Sequence, residues 1–216
     1  MILELVFQEI WAQSMENNLD YKEYSTSNNR KIRVYDNLVT YSDLIYYRTF
    51  CQNSIYRIGV TSSLVLEHKH QFQTFFQSEF SEQDDENFKL LENLKPQIPW
   101  IFNNRKRNKS WINSSYTGSI YRIHTDISPD NNKFTSLGLE DCPSLSLLCL
   151  LNVKWDQEDG GETIFYNDFL EAEIAISQKP GRVIIFDSTI PHKPGFHLPN
   201  LNDPRSLYVV QLIPNE

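Results

Sequence analysis

The chain has 216 residues, with 20 lysines and arginines against 28 aspartates and glutamates, a formal net charge of −8 and a pI near 5.2. That length suits one domain, able to bury roughly 70% of the surface its unfolded form exposes without help from a disulfide or a structural metal. The acidic balance argues against a protein that grips phosphate backbones, and three cysteines with no CxxC pair argue against a zinc ribbon or disulfide framework and fit a reducing compartment. Taken in chain order, the first segment, MILELVFQEIWAQ, carries Leu3, Val6 and Ile10 at helical spacing. A glutamate within it and the lack of a basic start exclude a signal peptide, and no run reaches the roughly 18 apolar residues of a membrane span. The expectation is a soluble, cytoplasmic protein. KIRVYDNLV (31–39) and IYRIGV (55–60) read as short strands. Leu44, Tyr47 and Phe50 mark a second helix, and Phe88, Leu91 and Leu94 a third.

Near residue 110 the texture changes to short β-rich runs separated by turn signals. SIYRIHTD (119–126), LSLLCLLNV (145–153), ETIFY (162–166), EAEIAIS (171–177), RVIIFD (182–187) and SLYVVQLI (206–213) read as strands. Asp159-Gly160-Gly161, Tyr166-Asn167-Asp168 and Lys179-Pro180-Gly181 supply the turns. Strands without intervening helices exclude a doubly wound sheet. The prediction is a mainly β (α+β) single domain, residues 1–216, in which a helical, short-strand part (1–110) packs on a β-roll core (111–216).

YRIHTD carries the chemistry. Residues two apart in a strand project from one face, so His124 and Asp126 can converge on one metal. His192, in STIPHKPG after the RVIIFD strand, is the third candidate. Two histidines and a carboxylate on one face of an octahedral ion make the site of non-haem Fe(II) oxygenases, with positions left open for other ligands. An HxD pair alone also fits a surface pair or a structural hydrogen bond. Arg205, thirteen residues after His192, opens the last strand and offers a planar fork suited to a carboxylate.

These blocks together resemble the Fe(II)- and 2-oxoglutarate-dependent dioxygenases, in particular the prolyl 4-hydroxylase-like branch. The resemblance runs through SSYTGSIYRIHTD (114–126), LLCLLNVKWDQEDGGETIFY (147–166), KPGRVIIFDSTIPHKP (179–194) and RSLYVVQL (205–212), about half the chain in the family's order. It implies a double-stranded β-helix (jelly-roll) with packed N-terminal helices. It further implies His124, Asp126 and His192 as iron ligands, Arg205 on the distal carboxylate of 2-oxoglutarate, and Tyr121 and Tyr116 lining the co-substrate pocket. Fe(II), 2-oxoglutarate and O2 would be required, with ascorbate as an accompanying reductant. The implied reaction is hydroxylation of an unactivated C–H bond in a small molecule, amino acid or peptide, with release of succinate and CO2. A carboxylate at Asp126 speaks against halogenation and leaves desaturation, epimerisation and cyclisation open.

Other residues have blander readings. His68 and His70 in EHKH fit a solvated turn, and His197 is the rival to His192. Arg105-Lys106-Arg107 with Lys109 reads as a solvated basic loop, Asn152 as a pocket candidate, and Trp155 as core. The polar stretch from Ser128 to Ser144 reads as a substrate lid or as a disordered excursion. A reading from another class is a β-roll module that holds a metal or sugar without turnover. A nucleic-acid demethylase is disfavoured by the charge.

Overall fold

A computed structural model describes residues 19–54, 57–58, 75–115, 122–127, 138–197 and 204–215. Among the described residues, eleven strands form two antiparallel sheets. In chain order they are β1 (Tyr21–Ser25), β2 (Lys31–Tyr35), β3 (Arg57–Ile58), β4 (Phe75–Glu79), β5 (Arg105–Ser115), β6 (Leu145–Leu150), β7 (Thr163–Tyr166), β8 (Ala172–Ile176), β9 (Val183–Asp187), β10 (His192–Pro194) and β11 (Arg205–Pro214). The large sheet has the order β1-β2-β9-β6-β11-β5-β4-β3 and the small one β10-β7-β8. This is the predicted jelly-roll, and β1 and β2, from before residue 110, join its large sheet directly.

The central strands read as continuous apolar runs because both of their faces are covered, as expected for doubly buried strands. Leu147, Cys149, Val183, Ile185, Tyr208 and Val210 face the helical side. Their neighbours Leu148, Leu150, Ile184, Phe186, Leu207 and Val209 face the small sheet, against Phe165 and Ile176. The helical layer begins with α1 (Tyr41–Asn53), whose N-terminus is capped by the Thr40 hydroxyl accepting from the Asp43 N–H at 3.2 Å. Leu44, Tyr47 and Cys51 of α1 are buried at helical spacing. The third predicted helix is two, α2 (Glu82–Phe88) and α3 (Leu90–Leu94), separated by Lys89 at φ 62°. A residue in that left-handed region ends one helix before the next begins.

Three readings need correction. Arg105 to Lys109 is no solvated loop but the start of β5. Arg105 is buried, and its guanidinium donates to the carbonyls of Cys142 (2.7 Å), Leu139 (3.0 Å), Glu140 (2.7 Å) and Trp100 (3.1 Å). Arginine was chosen there for its fork of donors, which satisfies a cluster of carbonyls no strand pairs. The second half of the expected lid, from Gly138 onward, is accordingly pinned by Arg105 and by the Glu140–Arg33 ion pair at 2.5 Å; its first half lies outside the described residues. The strand expected at 119–126 is, over the described residues 122–127, an extended segment joined to β10 by one bridge, His124 to His192. His68, His70 and the first predicted helix also lie outside the described residues.

All three cysteines are free and buried, and burial pushes the Cys142 thiol up to about 12. No described helix is long and apolar enough to cross a membrane.

Candidate metal centre

His124 and His192 meet because the extended segment 122–127 runs antiparallel to β10. The two residues exchange both backbone hydrogen bonds, His124 N–H to the His192 carbonyl at 3.0 Å and the reverse at 2.9 Å. Asp126 is held one step further on, where its N–H donates to the Ser188 carbonyl at 3.0 Å, in the turn that joins β9 to β10. One atom each of His124, Asp126 and His192 lies within 4.8 Å of the other two. Nε2 of His124 is 3.9 Å from Asp126 Oδ1, and Nε2 of His192 is 3.8 Å from Oδ2.

The tautomers follow from the second ring nitrogens. Nδ1 of His124 lies 3.0 Å from the Arg122 carbonyl, and Nδ1 of His192 lies 3.0 Å from the Ile190 carbonyl. A carbonyl only accepts, so each Nδ1 carries the proton and each Nε2 presents a lone pair to the gap between the rings. That is how metal-bound imidazoles are oriented. His192 is packed edge-on against Phe186, with centroids 4.8 Å apart. Its pKa is pushed down to about 4, by burial first, with Asp126 opposing and His124 reinforcing. Its imidazole is therefore neutral at pH 7. Adjacent donors on an ion with bonds of about 2.1 Å sit about 3 Å apart, so the triad closes by less than 2 Å, and His124 at the exposed rim has room to turn. The donor set and its tautomers fit a divalent metal.

A single cavity connects this triad to Arg205. Trp111, Leu148, Leu207 and Val209 give it apolar walls, and Asn113 and Thr163 add polar groups. Arg205 is the only cation lining it among the described residues, and it is 2% exposed. Two glycines place it. Gly160 and Gly161 have φ of 70° and 76°, and a Cβ on Gly161 would meet Cδ and Nε of Arg205 at 3.3 Å. Only glycine allows both that backbone and that approach.

His197, the rival ligand, packs beside Arg205 instead of at the triad. Its Nε2 faces the Ser115 carbonyl at 3.3 Å, and burial and the Arg205 charge lower its pKa. Asn152 is likewise no pocket residue. It accepts from the Ser206 N–H (2.8 Å) and donates to the Pro204 carbonyl (3.0 Å), which fixes the strand start that carries Arg205. Trp155 is part-buried, donating to the Gly160 carbonyl at 3.0 Å. Lys193 points from β10 to the Tyr166 ring, as an outward neighbour of His192 should. Tyr116 and Tyr121 lie outside the described residues.

Sequence reasoning missed Asn113, Thr163 and Ser146. Ser146 donates to Asp126 Oδ2 at 2.5 Å. The inward alternation of β5, β6 and β7 is the signal that could have found them.

No family model matches this chain, and no curated protein matches it in sequence. Its fold does match solved structures. HygX from Streptomyces hygroscopicus, with nickel and 2-oxoglutarate bound, aligns over 87% of this chain and 84% of its own, with a TM-score of 0.62 at 11% identity. A Pseudomonas putida prolyl-4-hydroxylase aligns over 95% and 100%, with a TM-score of 0.56 at 13% identity. A Trichoplax adhaerens prolyl hydroxylase, in complex with a hypoxia inducible factor peptide fragment, aligns over 98% and 92%, with a TM-score of 0.57 at 16% identity. The fold is thus one that 2-oxoglutarate oxygenases and prolyl hydroxylases use.

Proposed function

We propose that this chain is a non-haem Fe(II)- and 2-oxoglutarate-dependent oxygenase of the prolyl 4-hydroxylase-like branch. It hydroxylates an unactivated C–H bond of a small molecule, amino acid or peptide. The observation that carries the reading is one cavity with two imidazole Nε2 lone pairs and a carboxylate at one end and a buried guanidinium at the other. A β-roll that only holds a metal or a sugar has no need of both ends of that cavity.

In this reading His124, Asp126 and His192 hold Fe(II), and Arg205 pairs with the distal carboxylate of 2-oxoglutarate. Bound iron, with 2-oxoglutarate and O2, supplies the oxidation of C–H to C–OH, one oxygen atom going to the product and the other to succinate as CO2 leaves. The chain's own residues do the rest. Arg205 orients the co-substrate along the cavity, and the apolar walls of Leu148, Leu207 and Val209 keep water from it. Asp126 adds the negative charge that favours a divalent ion over a neutral ligand set. Tyr121 and Tyr116 belong to the proposal as co-substrate contacts, by resemblance alone. Support for the substrate class comes from the neighbours, one solved with hygromycin B and one with a peptide.

Succinate release tests it. Iron-loaded protein given 2-oxoglutarate, O2 and ascorbate should form succinate, faster with the right member of an amino-acid, peptide and small-molecule panel, and Asp126→Ala should abolish it. No succinate from folded, iron-loaded protein across such a panel would contradict the assignment.

A further inference from the structure

Asp126 has two carboxylate oxygens, and the chain treats them differently. Oδ2 accepts a hydrogen bond from the Ser146 hydroxyl at 2.5 Å. Each oxygen faces one imidazole, Oδ1 that of His124 at 3.9 Å and Oδ2 that of His192 at 3.8 Å, but Oδ1 accepts from no described side chain. Ser146 is fully buried in β6, and its Oγ also lies 2.9 Å from the Ser188 hydroxyl. Ser188 belongs to the turn whose carbonyl receives the Asp126 N–H, and Gln211 Nε2 donates to the Asp126 carbonyl at 3.2 Å. Three separate elements therefore grip this residue: β6, the β9–β10 turn and β11.

We propose that Ser146 is a positioning residue for the metal centre: its hydroxyl ties up Asp126 Oδ2 and so presents Oδ1 as the single ligating oxygen. This rests on the metal-centre reading above. The physical case is that a carboxylate on an extended, one-bridge segment has a free χ2 torsion, and a free carboxylate can chelate through both oxygens or turn from the ion altogether. A short hydroxyl-to-carboxylate bond from the rigid sheet interior removes that freedom before the ion arrives. One-oxygen binding leaves more positions for a chelating co-substrate and O2 than a bidentate carboxylate would. Serine on a β6 face that is otherwise Leu148 and Leu150 is a costly choice for packing alone, since a lone hydroxyl in an apolar layer needs a partner.

Anaerobic titration with Co(II) and Fe(II), read by affinity and by the Co(II) visible spectrum, tests the role without turnover. Ser146→Ala should weaken metal binding by about tenfold to a hundredfold, the range for outer-shell partners of metal ligands, and should alter the Co(II) spectrum while the thermal midpoint stays close to that of the wild type. Ser146→Thr, which keeps the hydroxyl, should restore affinity. Ser188→Ala, two bonds from Oδ2, should do less than Ser146→Ala. Equal affinities and spectra for wild type and Ser146→Ala would overturn the positioning role and leave the metal centre standing. A wild type that binds neither ion would overturn both.

Discussion

Each imidazole of the triad donates its Nδ1–H to the carbonyl two residues before it, Arg122 for His124 and Ile190 for His192. The same local geometry thus serves two distant segments, and it makes the ligand atoms a property of the backbone. Arg205 is placed by a similar economy, through the space that Gly161 leaves. Gly161→Ala puts a methyl 3.3 Å from Arg205 Cδ and 3.2 Å from His197 Cβ, at a backbone φ of 76°. The expected result is a loss of about 1 kcal/mol or more in stability, together with at least a several-fold rise in the dissociation constant for 2-oxoglutarate. A fall in thermal midpoint with unchanged co-substrate affinity would show that Gly161 serves the turn only. The cluster of His124, Asp126 and His192 was legible because the i, i+2 spacing of an extended segment and the turn before His192 are local signals. For Ser146 and Asn113 the alternation of β6 and β5 gives the face, but only the large sheet's register places that face at the site.

Among elements, β5 is the one whose sequence misled. Arg105, Lys106 and Arg107 read as a charged loop because one-dimensional reasoning counts charges without seeing which guanidinium has carbonyls to serve. Arg105→Ala leaves those acceptors of residues 100, 139, 140 and 142 short of a donor. It should cost roughly 3 kcal/mol, measured by urea unfolding; a loss under half of that would mean the carbonyls find water instead. At the other side of the large sheet, Arg182 before β9 grips Asp36 after β2 with both arms, at 2.6 and 3.0 Å. That hydrogen bonding, more than the Arg182 and Lys179 charges, holds the Asp36 pKa below the usual carboxylate value against a desolvation that opposes it. A carboxylate with a lowered folded-state pKa stabilises the protein above its unfolded value of about 4 and loses that stabilisation as pH falls through the folded value. The stability gap between wild type and Asp36→Asn should therefore be full at pH 7 and shrink to nothing in acid. A gap independent of pH would rule out the ion pair as its source.

At the scale of the whole molecule, the jelly-roll was legible because its inner strands are apolar on both faces while turn residues punctuate them at short intervals. β1 escaped notice because YKEYS is an exposed edge strand with no buried stripe to mark it. The sheet sandwich brings the segment 122–127, β10 and the start of β11 to one cavity, so that the His124, Asp126 and His192 cluster and the Arg205 guanidinium share a space although the chain separates them. On that convergence the proposed chemistry depends. It is tested most directly by anaerobic titration of the protein with Fe(II) and 2-oxoglutarate, following the visible charge-transfer band of the chelate. The expected result is a band in the wild type, no band in Asp126→Ala, and co-substrate affinity weakened by about a hundredfold in Arg205→Ala, the scale of losing one buried charge pair. Folded, metal-binding protein that forms no band, or an Arg205→Ala variant that binds 2-oxoglutarate as tightly as the wild type, would contradict it.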